Sequence, residues 1–531
     1  MSAMLAQSAI ATPDIAWSLL APFAILSIAG VLLVTLTSIS APLRGGSFPA
    51  AFTGSSAAVA LASLVPIWDR VNGSDGAQLV VAEALAVDEF TVFVTAVICI
   101  AVFFAALLLD DYLRRENLDG PEWYVLLLMS AAGGILLSSA EDLIVTFLGL
   151  EILSIAAYVM AALHLRRLDS QEAGFKYFLL GALASALLLY GIAMVYGATG
   201  YTSLRSIAAA SNFTNEAGLS PAADSSLMLA GMALVLTGFA FKVSAVPFHA
   251  WTPDVYQGSP TPVVAFMASG IKVAGFAGLV RVFWIGFGPY LEDWRPLIAG
   301  LAVLTLLLGA VLALVQTNVK RMLAYSSITH AGFILVAVHA GSSSSGSVLG
   351  GEAFLFYLLA YTLMVVGTFG VVTVVGDRGD RNHDLSDYRG LSRRSPLLAV
   401  MMSILLFAQA GVPFTSGFFA KFRVIAAAAE DESYVLAGVA MVAAVVAAVL
   451  YLRIVVSMFL IDPDGAAEGD EAASDGGDVE AVVAGGGVLV VPNTAVIAVG
   501  LATVATLVLG LLPNLGGGVL TDAAETLTSL R

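Results

Sequence analysis

The sequence is poor in charged residues and almost free of cysteine. Asp, Glu, Lys and Arg make up 12% of the 531 residues, and there is one cysteine, Cys99, with five histidines. An iron–sulfur cluster is held by about four cysteine thiolates, so this chain cannot hold one by itself. The Cys and His residues lack the spacing of metal ligands, and no GxGxxG segment joins a predicted strand to a predicted helix. The sequence therefore argues against an internal redox centre or a nucleotide site.

What the sequence has in excess is apolar residues. They make up 59% of the chain, and the mean hydropathy of +0.93 is far from that of a soluble globular protein. About fourteen segments reach the roughly 20 apolar residues that a membrane-spanning helix needs. We therefore predict an all-α polytopic membrane protein of about 14 transmembrane helices. The predicted spans lie near 16–39, 48–67, 90–109, 122–140, 142–164, 174–197, 227–249, 261–285, 297–316, 321–340, 351–376, 396–428, 433–461 and 493–513.

The basic residues predict the orientation of the chain. Cytoplasmic loops carry more Lys and Arg than loops on the opposite side of the membrane. If the N-terminus lies outside, alternate loops should be basic, and they are. The basic residues of these loops are Arg44, Arg114, Arg115, Arg166, Arg167, Lys320, Arg321, Arg378, Arg381, Arg389, Arg393 and Arg394. With an even number of spans, we expect a multi-pass protein of the cell membrane with both termini outside.

One predicted cytoplasmic loop is acidic. Residues 462–480 read DPDGAAEGDEAASDGGDVE, a composition typical of a disordered segment. Acidic residues weigh little in the orientation rule, so the predicted topology stands. The net charge of −16 does not indicate a nucleic-acid partner, because much of it lies in such loops.

The stretch from Thr237 to Val264 combines two features that are costly in a membrane helix. Lys242 lies in a strongly apolar run, where a lone ammonium is unfavourable unless it is paired, hydrated or neutralised. Pro247 follows, and its ring should crowd the carbonyl of Val243, so we expect the helix to break beside Lys242. Broken helices occur at membrane depth where they line a cavity or pack inside protein. We interpret Lys242 as one station of an ion path.

The triplet Val-Pro-Phe occurs twice in comparable surroundings. It stands at 246–248 and at 412–414, each time in a long apolar segment with a lysine nearby. Paired interruptions of this kind are typical of transporters with two related halves. Five predicted spans separate the two breaks, so the halves would be inserted upside down relative to one another. We predict two inverted five-helix repeats, each containing a broken helix.

Four more ionisable side chains inside predicted spans are candidate proton sites. Glu151 either lies near a helix end and reaches the interface or pairs with Lys242. Lys272 falls near the middle of its span and has no counter-charge close in sequence. His330 lies in a hydroxyl-rich helix, where it either only forms hydrogen bonds in the bundle or relays protons. Lys421 follows the second break and has an arginine nearby, so it either lies in the interior or extends to the interface.

The first half contains further polar residues for which we expect no role in proton transfer. Glu172 and Lys176 stand four residues apart near a helix start, where an ordinary pair within one helix is expected. Asp254 and Tyr256 follow the first break, and we expect them to shape its loop rather than titrate.

The longest motifs resemble a known family, the antiporter-like membrane subunits of respiratory complex I. The resemblance covers nearly the whole chain. The motifs that carry it are FLGLEILSIAAY, EAGFKYFLLGALASALLLYG, FKVSAVPFHAWTPDVYQGSPTPVVAFMASGIK, VKRMLAYSSITHAGF and AGVPFTSGFFAKF. The chain departs from the family by its acidic insertion at 462–480, which contains none of the candidate residues.

The resemblance implies roles for the intramembrane residues. Glu151 and Lys242 would form the charge pair of the first half-channel. Lys272 would be the connecting lysine and His330 part of a hydrated axis. Lys421 would be the terminal lysine of the second half-channel, a position at which one paralogous branch of the family carries Glu.

The resemblance also implies a function and partners. We expect a proton-translocating subunit that binds no cofactor itself, in a complex that uses quinone and NADH. Its partners would be neighbouring antiporter-like and small membrane subunits and the lipid bilayer. The alternative is a cation/proton antiporter subunit of the Mrp type, which shares the lysine-bearing broken helices.

The expected organisation has five parts. These are N-terminal transmembrane helices at 1–120, a first antiporter-like half at 121–285, a second half at 286–461, an acidic disordered cytoplasmic loop at 462–492 and a C-terminal transmembrane helix at 493–531.

Overall fold

Helices make up most of the chain, because a backbone inside a bilayer must satisfy its own N–H and C=O groups. The structure, a computed structural model, describes residues 15–73, 76–118, 120–212, 226–342, 348–461 and 491–529. The acidic segment at 462–480 lies outside the described residues, so its predicted disorder stays a prediction. The same holds for the division into five parts.

The α-helices are α1 (Ala21–Ile39), α2 (Phe48–Ala62), α3 (Leu64–Val71), α4 (Glu89–Glu116), α5 (Glu122–Ser139), α6 (Leu143–Ala162), α7 (Leu168–Thr199), α8 (Leu204–Asn212), α9 (Ser226–Lys242), α10 (Trp251–Gly258), α11 (Thr261–Phe266), α12 (Lys272–Arg281), α13 (Leu291–Leu314), α14 (Val319–Gly341), α15 (Val348–Val375), α16 (Leu391–Arg394), α17 (Pro396–Ala410), α18 (Ser416–Glu430), α19 (Tyr434–Leu460), α20 (Asn493–Leu511) and α21 (Gly517–Ser529). Two short strands, β1 (Gln78–Val80) and β2 (Leu85–Val87), form an antiparallel hairpin in which Gln78 pairs with Val87. Single turns of π-helix at Met267–Ile271 and Val282–Gly286 flank α12.

The all-α membrane architecture is confirmed. Twelve helical stretches of the described residues are long and apolar enough to cross a membrane, and two more apolar helices, α9 and α17, are shorter. These two are the first parts of the segments in which the sequence predicts breaks. Each predicted span therefore coincides with helix, while the number of fourteen crossings and the inverted repeat stay predictions.

The helices differ sharply in how much protein surrounds them. The stretch from α11 through α12 is buried along its whole length, and α14 and α15 are 94% buried. By contrast, α1, α2, α7, α13 and α19 are only 33–39% buried and expose rows of Leu, Val and Ile. The interior helices carry Lys272 and His330, so these two side chains lie inside the bundle rather than against lipid.

A buried ion-pair cluster joins the helices at the end of the bundle where α4 begins. The Arg281 guanidinium donates to both oxygens of Asp88 at 2.8 Å and lies 3.5 Å from Glu141. Asp88 also caps α4 by accepting from the Thr91 backbone N–H at 2.8 Å. Arg205 adds a second cation to Glu141 at 3.0 Å. Because Arg281 and both carboxylates are buried, their pairing is a condition for this end to fold.

A second cluster lies near the other end of α4, around Asp380. This carboxylate accepts from Arg167 at 2.8 Å and from the Thr261 hydroxyl at 2.7 Å, and it lies 3.3 Å from Lys320. Burial alone would raise the pKa of Asp380, but Lys320, His383 and Arg167 hold its pKa well below the usual range. Asp380 is therefore ionised and ties the segment after α15 to the starts of α7, α11 and α14.

The Arg281 cluster generates the first prediction, for the variant Asp88→Asn. Asparagine caps a helix as well as aspartate does, so the substitution removes the charge while keeping the cap. Breaking a buried ion pair costs about 3–5 kcal/mol, and the nearby Glu141 should keep the loss near the lower value. We expect a lower midpoint of thermal unfolding for the purified protein. The matched control is Asp293→Asn, because Asp293 is exposed in the first turn of α13. Equal stability of the two variants would contradict the prediction.

Candidate functional site

The first interruption begins at Lys242, the last residue of α9. Ser244 adopts a left-handed conformation with φ of 65°. The Ala245 N–H donates to the carbonyl of Ala240 at 2.8 Å, and the Ser244 N–H donates to that of Phe241 at 3.1 Å. This pair of hydrogen bonds is the Schellman motif that ends many helices.

The break beside Lys242 is confirmed, but the structure gives it a different cause from the one predicted. Pro247 and Val243 both lie beyond the end of α9, so the proline ring does not interrupt a formed helix. The freed polar groups find other partners, since the Val246 N–H donates to Thr305 Oγ1 at 2.9 Å. The Trp251 indole N–H donates back to the Phe241 carbonyl at 3.0 Å. The left-handed residue ends α9, and the proline acts only after it.

The second interruption has the same local geometry. Gly411 has φ of 91°, its N–H donates to Ala408, and the Val412 N–H donates to Phe407, both at 2.9 Å. The helix resumes at Ser416. The two Val-Pro-Phe segments thus follow the same kind of helix end, which supports the prediction of two related halves.

The Lys242 ammonium is buried among neutral groups. It donates to Ser154 Oγ at 2.8 Å and contacts the Tyr177 hydroxyl at 3.5 Å. It also lies 5.9 Å from the ring centre of Tyr158 and 5.7 Å from that of Tyr177. The stem of Lys242 packs against Gly275 of α12, where an added Cβ would lie 3.2 Å from its Cγ. Lys242 is therefore fixed between α6, α7 and α12.

Glu151 lies close to this lysine but does not form a direct ion pair with it in the described part of the chain. Its carboxylate accepts a short hydrogen bond from the Ser185 hydroxyl. A small cavity of about 10 Å³ is lined by Lys242, its partner Ser154 and the Glu151 partner Ser185. That is room for about one water molecule. The functional pairing of Glu151 with Lys242 stays a prediction.

Lys272 begins α12 immediately after a turn of π-helix. Such turns redirect side chains and are frequent at functional sites. Its ammonium donates to the carbonyl and the hydroxyl of Ser327, at 2.9 and 2.5 Å. Ser327 also accepts from the Tyr361 hydroxyl at 2.8 Å. The lysine is 2% exposed, so it does not face lipid.

His330 joins two tyrosines. Its Nδ1 lies 2.7 Å from the Tyr357 hydroxyl, and its Nε2 lies 3.1 Å from the Tyr451 hydroxyl. Tyr451 in turn shares a hydrogen bond of 2.6 Å with Ser326, whose hydroxyl faces Gln409 Oε1 at 3.4 Å. An imidazole that is hydrogen-bonded at both nitrogens is suited to relay a proton. The same two contacts would equally well satisfy the polar atoms of a buried histidine that relays none. Both interpretations of His330 stay open.

Lys421 lies in the interior and not at the interface. Its ammonium donates to the Ala410 carbonyl at 2.9 Å, an acceptor freed by the end of α17. It lies 5.1 Å from the ring centre of Phe333. The nearby Arg423 points elsewhere and donates to the Pro513 carbonyl at 3.0 Å. The second break thus provides the oxygen that holds the second-half lysine.

The partners of these residues were largely missed by the sequence reasoning. Serine and tyrosine hydroxyls hold most of the candidate groups. The sequence indicates Ser326 and Ser327 as part of the hydroxyl-rich helix around His330, but not as partners of Lys272 or Tyr451. The available signal for the others is the presence of tyrosines and serines inside apolar segments. The missed residues are Ser154, Tyr158, Tyr177, Ser185, Tyr357, Tyr361 and Tyr451.

Interrupted membrane helices and buried lysines define the class of membrane ion carriers with broken helices, and comparison with known proteins specifies the family. Residues 140–447 match the family described as NADH:quinone oxidoreductase/Mrp antiporter, TM. NADH-quinone oxidoreductase subunit N of Mycobacterium tuberculosis is 38% identical over 551 residues, covering 94% of this chain and 96% of the relative. Subunit N of Chloroflexus aggregans is 42% identical over 403 residues, covering 76% and 79%. The chain belongs to the family of NADH-quinone oxidoreductase subunit N.

Solved structures agree. A chain of respiratory complex I from Thermus thermophilus has a TM-score of 0.75 and 32% identity, covering 94% of this chain and 99% of that one. A chain of the Mrp complex from Dietzia has a TM-score of 0.77 at 23% identity, covering 96% and 97%. At that identity the second comparison shows a shared fold only.

The second interruption generates a prediction for Gly411→Ala. A left-handed backbone costs a residue with a side chain about 1–2 kcal/mol. The added Cβ would also lie 3.1 Å from Lys421 Cδ and push the ammonium away from Ala410. We expect a lower thermal unfolding midpoint than for Gly438→Ala, whose new Cβ meets nothing within 4 Å inside α19. If the two variants unfold together, the left-handed turn does not constrain Lys421.

Proposed function

We propose that this chain moves protons across the membrane as the non-redox part of a proton-pumping NADH–quinone oxidoreductase. The observation that carries the proposal is the way in which its central lysines are held. Lys242, Lys272 and Lys421 are each buried, and in the described part of the chain their acceptors are neutral oxygens. A buried ammonium without a counter-ion is poorly stabilised, so each of these groups is suited to take up and lose a proton.

The proposed path runs from Glu151 and Lys242 through Lys272 and His330 to Lys421. Movement of the Glu151 carboxylate, or of water in the cavity beside it, would change how strongly Lys242 holds its proton. Hydroxyls of serine and tyrosine both accept and donate, so they are suited to connect the lysines. His330 would pass a proton between its two nitrogens in the second half.

The energy for this movement would come from quinone reduction in neighbouring subunits. Moving one proton against a total driving force of ~200 mV requires about 4.6 kcal/mol. We propose that this chain binds no cofactor and that quinone and NADH are used by other parts of the complex. Its partners would be adjacent antiporter-like and small membrane subunits, in a cell membrane with both termini of this chain outside.

The alternative function is a cation/proton antiporter subunit of the Mrp type. The observation in its favour is that the matching family covers both kinds of protein. Relatives named subunit N that align over nearly the whole chain favour the oxidoreductase. A run of neighbouring genes for the other subunits of complex I would decide for the oxidoreductase and against the antiporter.

The proposed function predicts the effects of two variants, Lys272→Met and Lys272→Arg. Methionine removes the charge, whereas arginine keeps the charge but does not release a proton in proteins. Loss of a proton-transfer group typically lowers the rate of its step by ~10²-fold or more. We therefore expect both variants to suppress proton pumping by the reconstituted complex.

The control is Arg378→Met, which removes a positive charge from an exposed loop. NADH oxidation with an artificial electron acceptor should stay normal in all three variants, which would show that electron entry is intact, and copurification of each variant chain with the complex would show that it is assembled. Normal pumping in Lys272→Arg would mean that Lys272 provides only a fixed charge, and the proposed role would be wrong.

A further inference from the structure

A chain of hydrogen bonds leads from the second interruption to His330. It begins at Gln409, which precedes the last residue of α17 and is 1% exposed. The Gln409 amide contacts the Thr368 hydroxyl at 2.6 Å and the Ser326 hydroxyl at 3.4 Å. Ser326 Oγ lies 2.6 Å from the Tyr451 hydroxyl, which lies 3.1 Å from His330 Nε2. Two hydroxyl groups therefore connect the amide of Gln409 to the imidazole of His330.

The hydroxyl of Thr368 fixes the orientation of the Gln409 amide. A threonine hydroxyl has one hydrogen to donate, and Thr368 donates it to the Met364 carbonyl one turn earlier on α15, at 2.8 Å. The Thr368 oxygen therefore accepts from Gln409, and the group that faces it is the amide NH2. The acceptor atom of the amide, Oε1, then faces Ser326. Because Oε1 carries no hydrogen, Ser326 is the donor in this contact.

The same rule of one hydrogen per hydroxyl extends from Gln409 to the ring. Ser326 donates its hydrogen to Gln409, so it accepts from the Tyr451 hydroxyl. Tyr451 donates its hydrogen to Ser326, so it accepts from His330, and the donor is an N–H at Nε2. In a neutral imidazole only one of the two nitrogens carries a hydrogen. The other nitrogen, Nδ1, is therefore an acceptor, and the Tyr357 hydroxyl donates to it at 2.7 Å.

We infer that Gln409 is a positioning residue that fixes neutral His330 in the tautomer with its hydrogen on Nε2. In this tautomer the ring is able to gain a proton only at Nδ1, beside Tyr357. The N–H at Nε2 is directed toward the second interruption, so a charged ring would give up its proton on that side. The directional role of Gln409 rests on the proposed function, whereas the tautomer does not.

The opposite tautomer would break this chain of hydrogen bonds at the amide. With its hydrogen on Nδ1, His330 would accept at Nε2, and the Tyr451 hydroxyl would donate to it. Tyr451 would then need a hydrogen from Ser326, whose single hydrogen could no longer reach Gln409. A buried carbonyl oxygen that loses its donor is unfavourable. The amide at the second interruption thus selects the side of the ring on which a proton is taken up.

Solid-state NMR of the histidine rings tests the tautomer directly. The full-length chain, with isotope-labelled histidine, is placed in lipid bilayers and measured at an alkaline pH at which imidazole is neutral. The signals of His330 are identified by their loss in the variant His330→Gln. We expect the His330 hydrogen on Nε2. A ring that carries its hydrogen on Nδ1, or one that carries hydrogen on both nitrogens, would overturn the inference.

Variants of Gln409 test its role by the same measurement. Methionine has a similar size but no amide, so Ser326 is free to donate to Tyr451, and we expect a second population of His330 with its hydrogen on Nδ1. Gln409→Glu keeps an acceptor oxygen and should keep the single tautomer. The matched control is Ser403→Ala, which removes another buried hydroxyl of α17. If Gln409→Met shows the unchanged single tautomer, Gln409 is not the positioning residue.

Proton pumping by the reconstituted complex separates the inference from the proposed function. We expect Gln409→Met to pump about twofold more slowly than Ser403→Ala, or slower still, because only part of its molecules hold the competent tautomer. Equal pumping by these two variants would overturn the directional role of Gln409 and leave the proposed function standing. Normal pumping in both Lys272 variants would instead overturn the proposed function and with it the directional role, while the NMR result would still decide the tautomer.

Discussion

Everything at the centre of this molecule depends on how an ammonium group is held where water is scarce. The chain has only five lysines. Lys320 is paired with Asp380, and Lys176 with Glu172 and Asp254. The remaining three lie in the interior on serine hydroxyls or backbone carbonyls. An ammonium has three donors and one full charge, so neutral oxygens stabilise it less than a carboxylate does. The fold thus separates fixed cations at its ends from cations with a weakly held charge in the middle.

The interrupted helices follow from the same constraint. Each interior carbonyl of a continuous helix already accepts one hydrogen bond, so a helix end offers a buried lysine a freer acceptor, although the Ser327 carbonyl inside α14 also accepts from Lys272. Ending α17 at Ala410 frees the carbonyl that accepts from Lys421, and ending α9 at Lys242 places that ammonium at a helix terminus. At the first interruption the residues from Lys242 to Val246 are buried, whereas Val412 and Phe414 of the second are 41% and 71% exposed.

The sequence was sufficient for the helices and for the burial of the three candidate lysines, and insufficient for the hydrogen-bond partners of these lysines. Length and hydropathy predicted each segment, and an apolar context was enough to select Lys242, Lys272 and Lys421. The end of α9 was assigned to Pro247, because a serine with positive φ is uncommon and leaves no mark in composition. Ser154, Tyr177 and Ser327 come from helices distant in sequence, and helical periodicity does not say which faces meet. The sequence likewise leaves open whether Lys421 lies in the interior or reaches the membrane interface, because the answer depends on neighbours such as Phe333 that come from other helices.

The hydrogen-bonded groups along the proposed path form separate sets rather than one wire. One set contains Lys242 with Ser154 and Tyr177, and another contains Lys272 with Ser327 and Tyr361. The stem of Lys242 lies against Gly275 of α12, the helix that begins at Lys272. A continuous chain of hydrogen bonds would let protons flow back as readily as forward, so a pump must break its path at some step. Under the proposed function, transfer between the two sets would require water or a side-chain movement, which quinone reduction in neighbouring subunits would drive.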